Sequence, residues 1–245
     1  MPSLQGRCRV EGDSPARPDG ATALPAGPAA ERLVAALRAR EPQAGRAFWA
    51  LRAWSRLVWQ PTYASVFSVE LAGTVLPLAG LGWDVDADEA DVTGFAIPTP
   101  GLAASTSTAT SPGSGRVMAA EQLRRLSATL LAAVQAKLPL HPKAARRQLA
   151  DCVLAALLRV RPLARLTNDE VSDIAADWLA LLGASGDSGY LAFDIAPGTS
   201  CLALDRGVCC LDDRRAGGDI CNTCPRLPRA ERLRRLGAQD LRNSA

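Results

Sequence analysis

A chain of 245 residues, 48% of them apolar, has enough hydrophobic side chains to bury a core without disulfides, as one large domain or two small ones. Its formal net charge of +3 is too small, and its 28 basic residues are too scattered, to mark a nucleic-acid partner. Of its seven cysteines, Cys8, Cys152 and Cys201 stand alone, whereas Cys209, Cys210, Cys221 and Cys224 fall within sixteen residues.

Residues 1–28 are rich in Pro, Gly and charge and lack apolar periodicity, which predicts a disordered leader. Arg7, Arg9, Glu11 and Asp13 have no apolar segment behind them, so no export signal is expected and the location predicted is cytoplasmic. The next part, residues 29–97, opens with a helix from Ala29 to Arg40 that carries Leu33, Val34 and Leu37 on one face. A second helix is expected from Ala44 to Gln60, closed by Pro61. Its Trp49, Trp54 and Trp59 step by five and do not share one face; core is their expected place, with one available to line a ligand pocket. The apolar stretch from Ala64 to Trp83 is interrupted by Glu70, Pro77 and glycines, which predicts core and not a membrane span. Gly82 to Ile97 suits a β-hairpin with a polar turn at Asp86 to Asp91.

Residues 98–115, composed mainly of Pro, Gly, Ser, Thr and Ala, read as a flexible loop. The part that follows, 116–198, should be helical. Met118 to Leu138 carries Leu123, Leu126, Leu130, Val134 and Leu138 at three- and four-residue steps, and Leu149, Val153, Leu157 and Val160 mark the next helix. A third helix begins at a capping box, Thr167 with Glu170, and ends at Gly183. Extended pieces, Tyr190 to Ile195 and Ser200 to Leu204, lead into a C-terminal segment, 199–245. It ends in a helix from Arg229 to Arg242 expected to pack on the domain, with peripheral membrane contact as the alternative. The predicted fold class is mainly α with a minor β component (α+β).

The cysteine segment reads GVCCLDDRRAGGDICNTCPRL over residues 207–227. A Cys209–Cys210 disulfide would be strained, because a trans peptide holds neighbouring Cα atoms about 3.8 Å apart. In a reducing compartment, clustered thiols point to metal or redox chemistry. A closed zinc site usually pairs two short Cys knuckles, and here only Cys221-x-x-Cys224 has that form. Neighbouring side chains in extended backbone point to opposite sides, which suits two irons better than one ion. The spacing therefore leans toward a 2Fe-2S cluster and leaves zinc open. Cys152 lies among apolar residues and reads as a small buried hydrophobe, Cys201 as a reserve ligand candidate, and His141, between Pro139 and Pro142, as a loop residue.

The Cys-Cys-x10-Cys-x2-Cys ending resembles that of the FhuF-like siderophore-iron reductases, including Leu211, Gly217, Gly218 and the Pro-Arg-Leu after Cys224. Asp212 and Asp213 depart from the basic or aromatic pair expected there. The resemblance implies that Cys209, Cys210, Cys221 and Cys224 ligate one 2Fe-2S cluster. It also implies that the protein is an enzyme, a reductase of ferric siderophores of hydroxamate type. No G-x-G-x-x-G follows a predicted strand, so the expected electron donor is a ferredoxin-like or reductase protein. Arg206, Arg214, Arg215, Arg226 and Arg229 are candidates to attract it, although Asp205, Asp212, Asp213 and Asp219 offset their charge. The rival readings are an adaptor with a structural zinc and an iron-sulfur redox sensor.

Overall fold

The computed structural model describes residues 6–9, 23–98, 107–108, 111–196 and 199–243. Among these the chain is mainly helical with short strands, the class predicted. Helix α1 (Ala26–Arg40) leads into α2 (Gly45–Ala72), α3 (Pro112–Gln135), α4 (Pro142–Leu163) and α5 (Asn168–Leu181). Helix α2 is the central element and packs against α1, α3 and α4. Its Phe48, Trp54, Leu57 and Val58 are fully buried, as are Leu149, Val153, Leu157 and Val160 of α4. The Trp54 indole donates to the Ala145 carbonyl at 3.1 Å and joins α2 to α4 through the core.

Pro61 does not close α2. A proline inside a helix removes the donor for the carbonyl four residues earlier, here that of Leu57. That carbonyl instead accepts from the indole of Trp83 at 2.9 Å, so the break is repaired from outside the helix and α2 continues to Gly73, whose φ of 62° caps it. Trp83 belongs to the predicted hairpin, which is present as β3 (Gly82–Asp86) and β4 (Asp91–Pro98) in antiparallel register. Buried Gln60 donates to the Val92 carbonyl at 3.1 Å and fixes the same hairpin to α2.

Two further expectations need correction. Within the stretch read as a disordered leader, β1 (Gly6–Arg9) pairs in parallel with β4, and α1 already begins at Ala26. Leu24 exchanges two 2.8 Å backbone bonds with Trp83. The ladder partner comes from residues 82–98, so local composition could not announce it; residues 10–22 lie outside the described residues. Within the stretch read as a loop, α3 starts at Pro112, because Ser111 and Ser114 form a capping box with Pro at the first helical position. A two-residue strand, β5 (Ser107–Thr108), also pairs with β2 (Thr74–Val75), and the rest of that loop lies outside the described residues.

Glu70, read as an interruption of an apolar run, is a tie point. Its carboxylate accepts from Arg116 Nε and Nη2 of α3 at 2.8 and 2.9 Å and from the Trp178 indole of α5 at 2.8 Å. No helix among the described residues is long and apolar enough to cross a membrane.

Replacing Trp83 with Phe leaves the Leu57 carbonyl buried without a donor and should cost about 2 kcal/mol in denaturant unfolding. In a Pro61→Ala background the new backbone N–H can serve that carbonyl. Trp83→Phe should then cost clearly less; equal costs in the two backgrounds would refute the repair.

Candidate metal centre

Strands β6 (Gly189–Ala196) and β7 (Thr199–Asp205) form an antiparallel hairpin that delivers the chain to the cysteine segment. From residue 206 to residue 228 there is one 3-10 turn, Asp212–Arg214, before α6 (Arg229–Asn243). With so little regular structure, side chains must hold the segment in place. Arg52 of α2 pairs with Asp212, and Arg147 of α4 donates to the Gly207 carbonyl at 2.9 Å. Arg206 reaches Asp151 of α4 at 3.2 Å.

Two glycines permit the close approaches that this fold requires. A Cβ on Gly207 would overlap the Asp187 carbonyl oxygen, and one on Gly218 would overlap that of Asp212. Gly207 stands two residues before the adjacent cysteines and Gly218 three before Cys221, so each fixes the approach to a thiol. Leu211 adopts the left-handed region at φ 59°, uncommon for a branched side chain, and from there its N–H donates to Cys209 Sγ at 3.4 Å.

The structure brings Cys209, Cys210, Cys221 and Cys224 together as two pairs. Cys209 and Cys224 Sγ lie 3.7 Å apart, and Cys210 and Cys221 are near enough for each to shift the other's pKa. Cys224 is buried and the other three are half-buried. Two thiolates at about 2.3 Å from one tetrahedral metal stand about 3.8 Å apart, so the first pair already has the edge length that a shared metal imposes. No group of three or more His, Cys, Asp or Glu among the described residues is arranged as a shell for a single ion.

The electrostatics are uneven. Interaction with the Cys210 thiol lowers the Cys221 thiol to about 6 against the effect of burial, with the Arg206 guanidinium assisting from 3.8 Å. Cys210 is raised by the same interaction and by burial, and Cys209 is raised by burial. Burial works against the charge on Arg206, but Asp151, Cys210 and Cys221 more than compensate and hold it above its ordinary value. A backbone N–H and a cation directed at the sulfurs are what a thiolate-bound cluster uses to stabilise its negative charge. The four residues thus fit a 2Fe-2S group in donor type and surroundings, and Cys209 with Cys224 also in separation.

The remaining cysteines lie elsewhere. Cys152 sits on α4, half-buried in a cavity wall, its thiol pushed up to about 12 by burial and by Asp151. Cys201 is mid-strand in β7 opposite Phe193, in a cavity with Pro162 and Leu236. Cys8 falls in β1. His141, read as a loop residue, is the N-cap of α4 and accepts from the Lys143 N–H. Trp54 is core and Trp49 half-buried, whereas Trp59 lines a cavity.

The arginines expected to form a basic face are largely paired: Arg215 with Asp212, Arg226 with Asp213 and Arg206 with Asp151. The acidic pair after Leu211 therefore anchors the loop. Sequence reasoning missed Asp151, Arg52, Asp187 and Gly207. Only Asp151 had a signal, a carboxylate beside Cys152 on the apolar side of a helix, which demands a partner.

One cavity touches the clustered cysteines, and a second is separated from them by Arg206. The first, of about 760 Å³, touches Cys209 and is walled by Leu51, Leu140, Pro142, Val208 and Leu211. The other, of about 540 Å³, is reached through Arg206. Compared with protein-family models, curated proteins and solved structures, the chain matches none.

Gly218→Ala should abolish iron loading while far-ultraviolet circular dichroism of the helical body is retained, because the clash is confined to the loop. Normal loading would show that Gly218 does not set the Cys221 position. A second expectation concerns Asp187, which joins Arg146 and Arg147 at 2.5 and 3.3 Å and whose pKa is lowered chiefly by the Arg146 hydrogen bond. A lowered folded-state pKa means stability present at neutral pH and lost as pH falls through that pKa. Asp187→Asn should lower the melting temperature at pH 7, and the difference should vanish in acid; a pH-independent difference would contradict the assignment.

Proposed function

We propose that the protein is a one-electron reductase of ferric siderophores, acting in the cytoplasm, with Cys209, Cys210, Cys221 and Cys224 as the ligands of a 2Fe-2S cluster. The observation that carries this reading is the meeting of four thiols in two close pairs, one of them at the 3.7 Å edge of a shared tetrahedral metal. The ending's resemblance to the FhuF-like reductases supports the choice of substrate.

When bound, such a cluster supplies a centre that accepts and gives one electron at a time. The chain's own residues do the rest. Leu211 N–H and the Arg206 guanidinium face Cys209 and Cys221 and stabilise negative charge on sulfur. Half-buried Cys209, Cys210 and Cys221 leave an edge within reach of partners, while Cys224 anchors the segment in the interior. Siderophores hold Fe(III) through hard oxygen donors that bind a divalent ion far less tightly, so one electron suffices to loosen the complex. A ferredoxin-like or reductase protein is the electron donor in this reading.

Purified anaerobically, the protein should contain about two irons and two acid-labile sulfides per chain. Cys221→Ser or Cys224→Ser should remove them, and Cys152→Ser should not. The reduced protein should release Fe(II) from ferric siderophores to a ferrous chelator in a single turnover. The cluster-free Cys221→Ser, Cys224→Ser double variant should not. Zinc without sulfide, or equal release by wild type and double variant across siderophore classes, would replace this reading with the adaptor or sensor.

A further inference from the structure

The cavity behind Arg206 is a groove between α2 and α4. On the α2 side, Trp59, Tyr63 and Phe67 recur every four residues and form one half-buried aromatic ridge. Trp59 meets Tyr63 edge to face at 5.6 Å between ring centroids, and Tyr63 meets Phe67 tilted at 5.9 Å. On the α4 side lie Gln148, Asp151, Cys152 and Arg159, and Arg206 closes the end nearest the cysteines. A volume of about 540 Å³ lies in the range of small-molecule sites, about 300–1,000 Å³.

The charge of the lining is not balanced. Arg56, Arg159 and Arg206 border the cavity against a single acid, Asp151, and Arg206 already engages that acid. Arg56 is partnered by Asp91 at 3.1 Å, outside the lining. The Arg159 guanidinium stands 5.5 Å over the Tyr63 ring, so cation and aromatic face are presented together. Three of the six buried side-chain atoms without a hydrogen-bond partner among the described residues are Arg56 Nε, Trp59 Nε1 and Gln148 Oε1, all on residues of this lining. A concave aromatic wall, surplus cationic charge and a concentration of unsatisfied polar groups mark a binding site and not packing.

We infer that this groove is the site for the iron chelate, and that it selects chelates that are both net-anionic and aryl-bearing, of catecholate or phenolate type. The inference rests on the reductase reading and deepens it. Neutral trihydroxamates, which the resemblance would suggest, have no charge to offer Arg159 and no ring for the Trp59–Phe67 ridge. Arg206 lines the groove and also touches Cys221 Sγ at 3.8 Å, so a chelate seated there is one side chain away from a proposed ligand sulfur. On reduction, Fe(III) gains one electron, delivered originally by the donor protein, and leaves as Fe(II). The oxygens it vacates take protons from water.

Binding separates from electron transfer if gallium(III), which is not reduced, replaces iron. The iron-loaded full chain would be titrated calorimetrically with four gallium complexes: 2,3-dihydroxybenzoate (anionic, aryl), citrate (anionic, no aryl), benzohydroxamate (neutral, aryl) and acetohydroxamate (neutral, no aryl). The dihydroxybenzoate complex should bind about tenfold or more tightly than each of the others, and more weakly as salt rises. Arg159→Gln and Trp59→Leu should each weaken it about tenfold, with unchanged circular dichroism. Arg159 is exposed, so its variant tests the site even if Trp59→Leu fails to fold. Equal or tighter binding of acetohydroxamate, or no effect of Arg159→Gln, overturns the inference. If the variants bind and release iron like wild type, the groove is wrong and the reductase reading stands. If gallium binding follows expectation but no iron is released, the reductase reading fails and the groove stands.

Discussion

Burying Asp151 obliges the chain to bring Arg206 to it. The carboxylate lies on α4 at 2% exposure, where an unpaired charge would cost several kcal/mol. Burial raises its pKa, and the Arg206 guanidinium, the Ser188 hydroxyl and the Gly207 backbone N–H pull against that rise. Two of these three groups are consecutive residues at the exit of β7. Satisfying one acid in the helical body therefore fixes where the chain stands just before Cys209 and Cys210. Arg206 also reaches Cys221, so a single guanidinium relates both halves of the cysteine motif to α4.

Polar groups organise the rest of the body in the same manner. The core is largely apolar, and apolar contact is permissive about orientation. The Leu57 carbonyl admits one donor, the Trp83 indole, and the Glu70 carboxylate admits Arg116 and Trp178. These contacts fix the hairpin and two helices around α2. The same helix carries the aromatic ridge of the groove and Arg52, which holds Asp212. Core packing and site geometry thus share one scaffold, so α2 cannot shift without moving both.

Much of the helical architecture was legible because it is written in local periodicity. Leu149, Val153, Leu157 and Val160 are buried as their spacing demands, and Thr167 with Glu170 opens α5. What was not legible depends on partners distant in sequence. Pro61 ends an isolated helix, and only a tryptophan 22 residues later reverses that rule. Strand β1 has no signal of its own because its ladder is supplied by β4. At the site, the four clustered cysteines could be named from spacing, but their partition into Cys209 with Cys224 and Cys210 with Cys221 could not. Asp212 looked like a departure from the motif until Arg52, 160 residues away, supplied its reason.

Two cavities of different character flank the cysteine segment, an apolar one that touches Cys209 and a cationic and aromatic one on the far side of Arg206. A centre with a single approach must release one partner before admitting the next, and its turnover follows a displacement scheme. Two approaches remove that exclusion. In the proposed reductase, donor and acceptor could then occupy the protein in one ternary complex, so that raising the concentration of one would not inhibit the other. The order in which donor and acceptor arrive would then cease to matter.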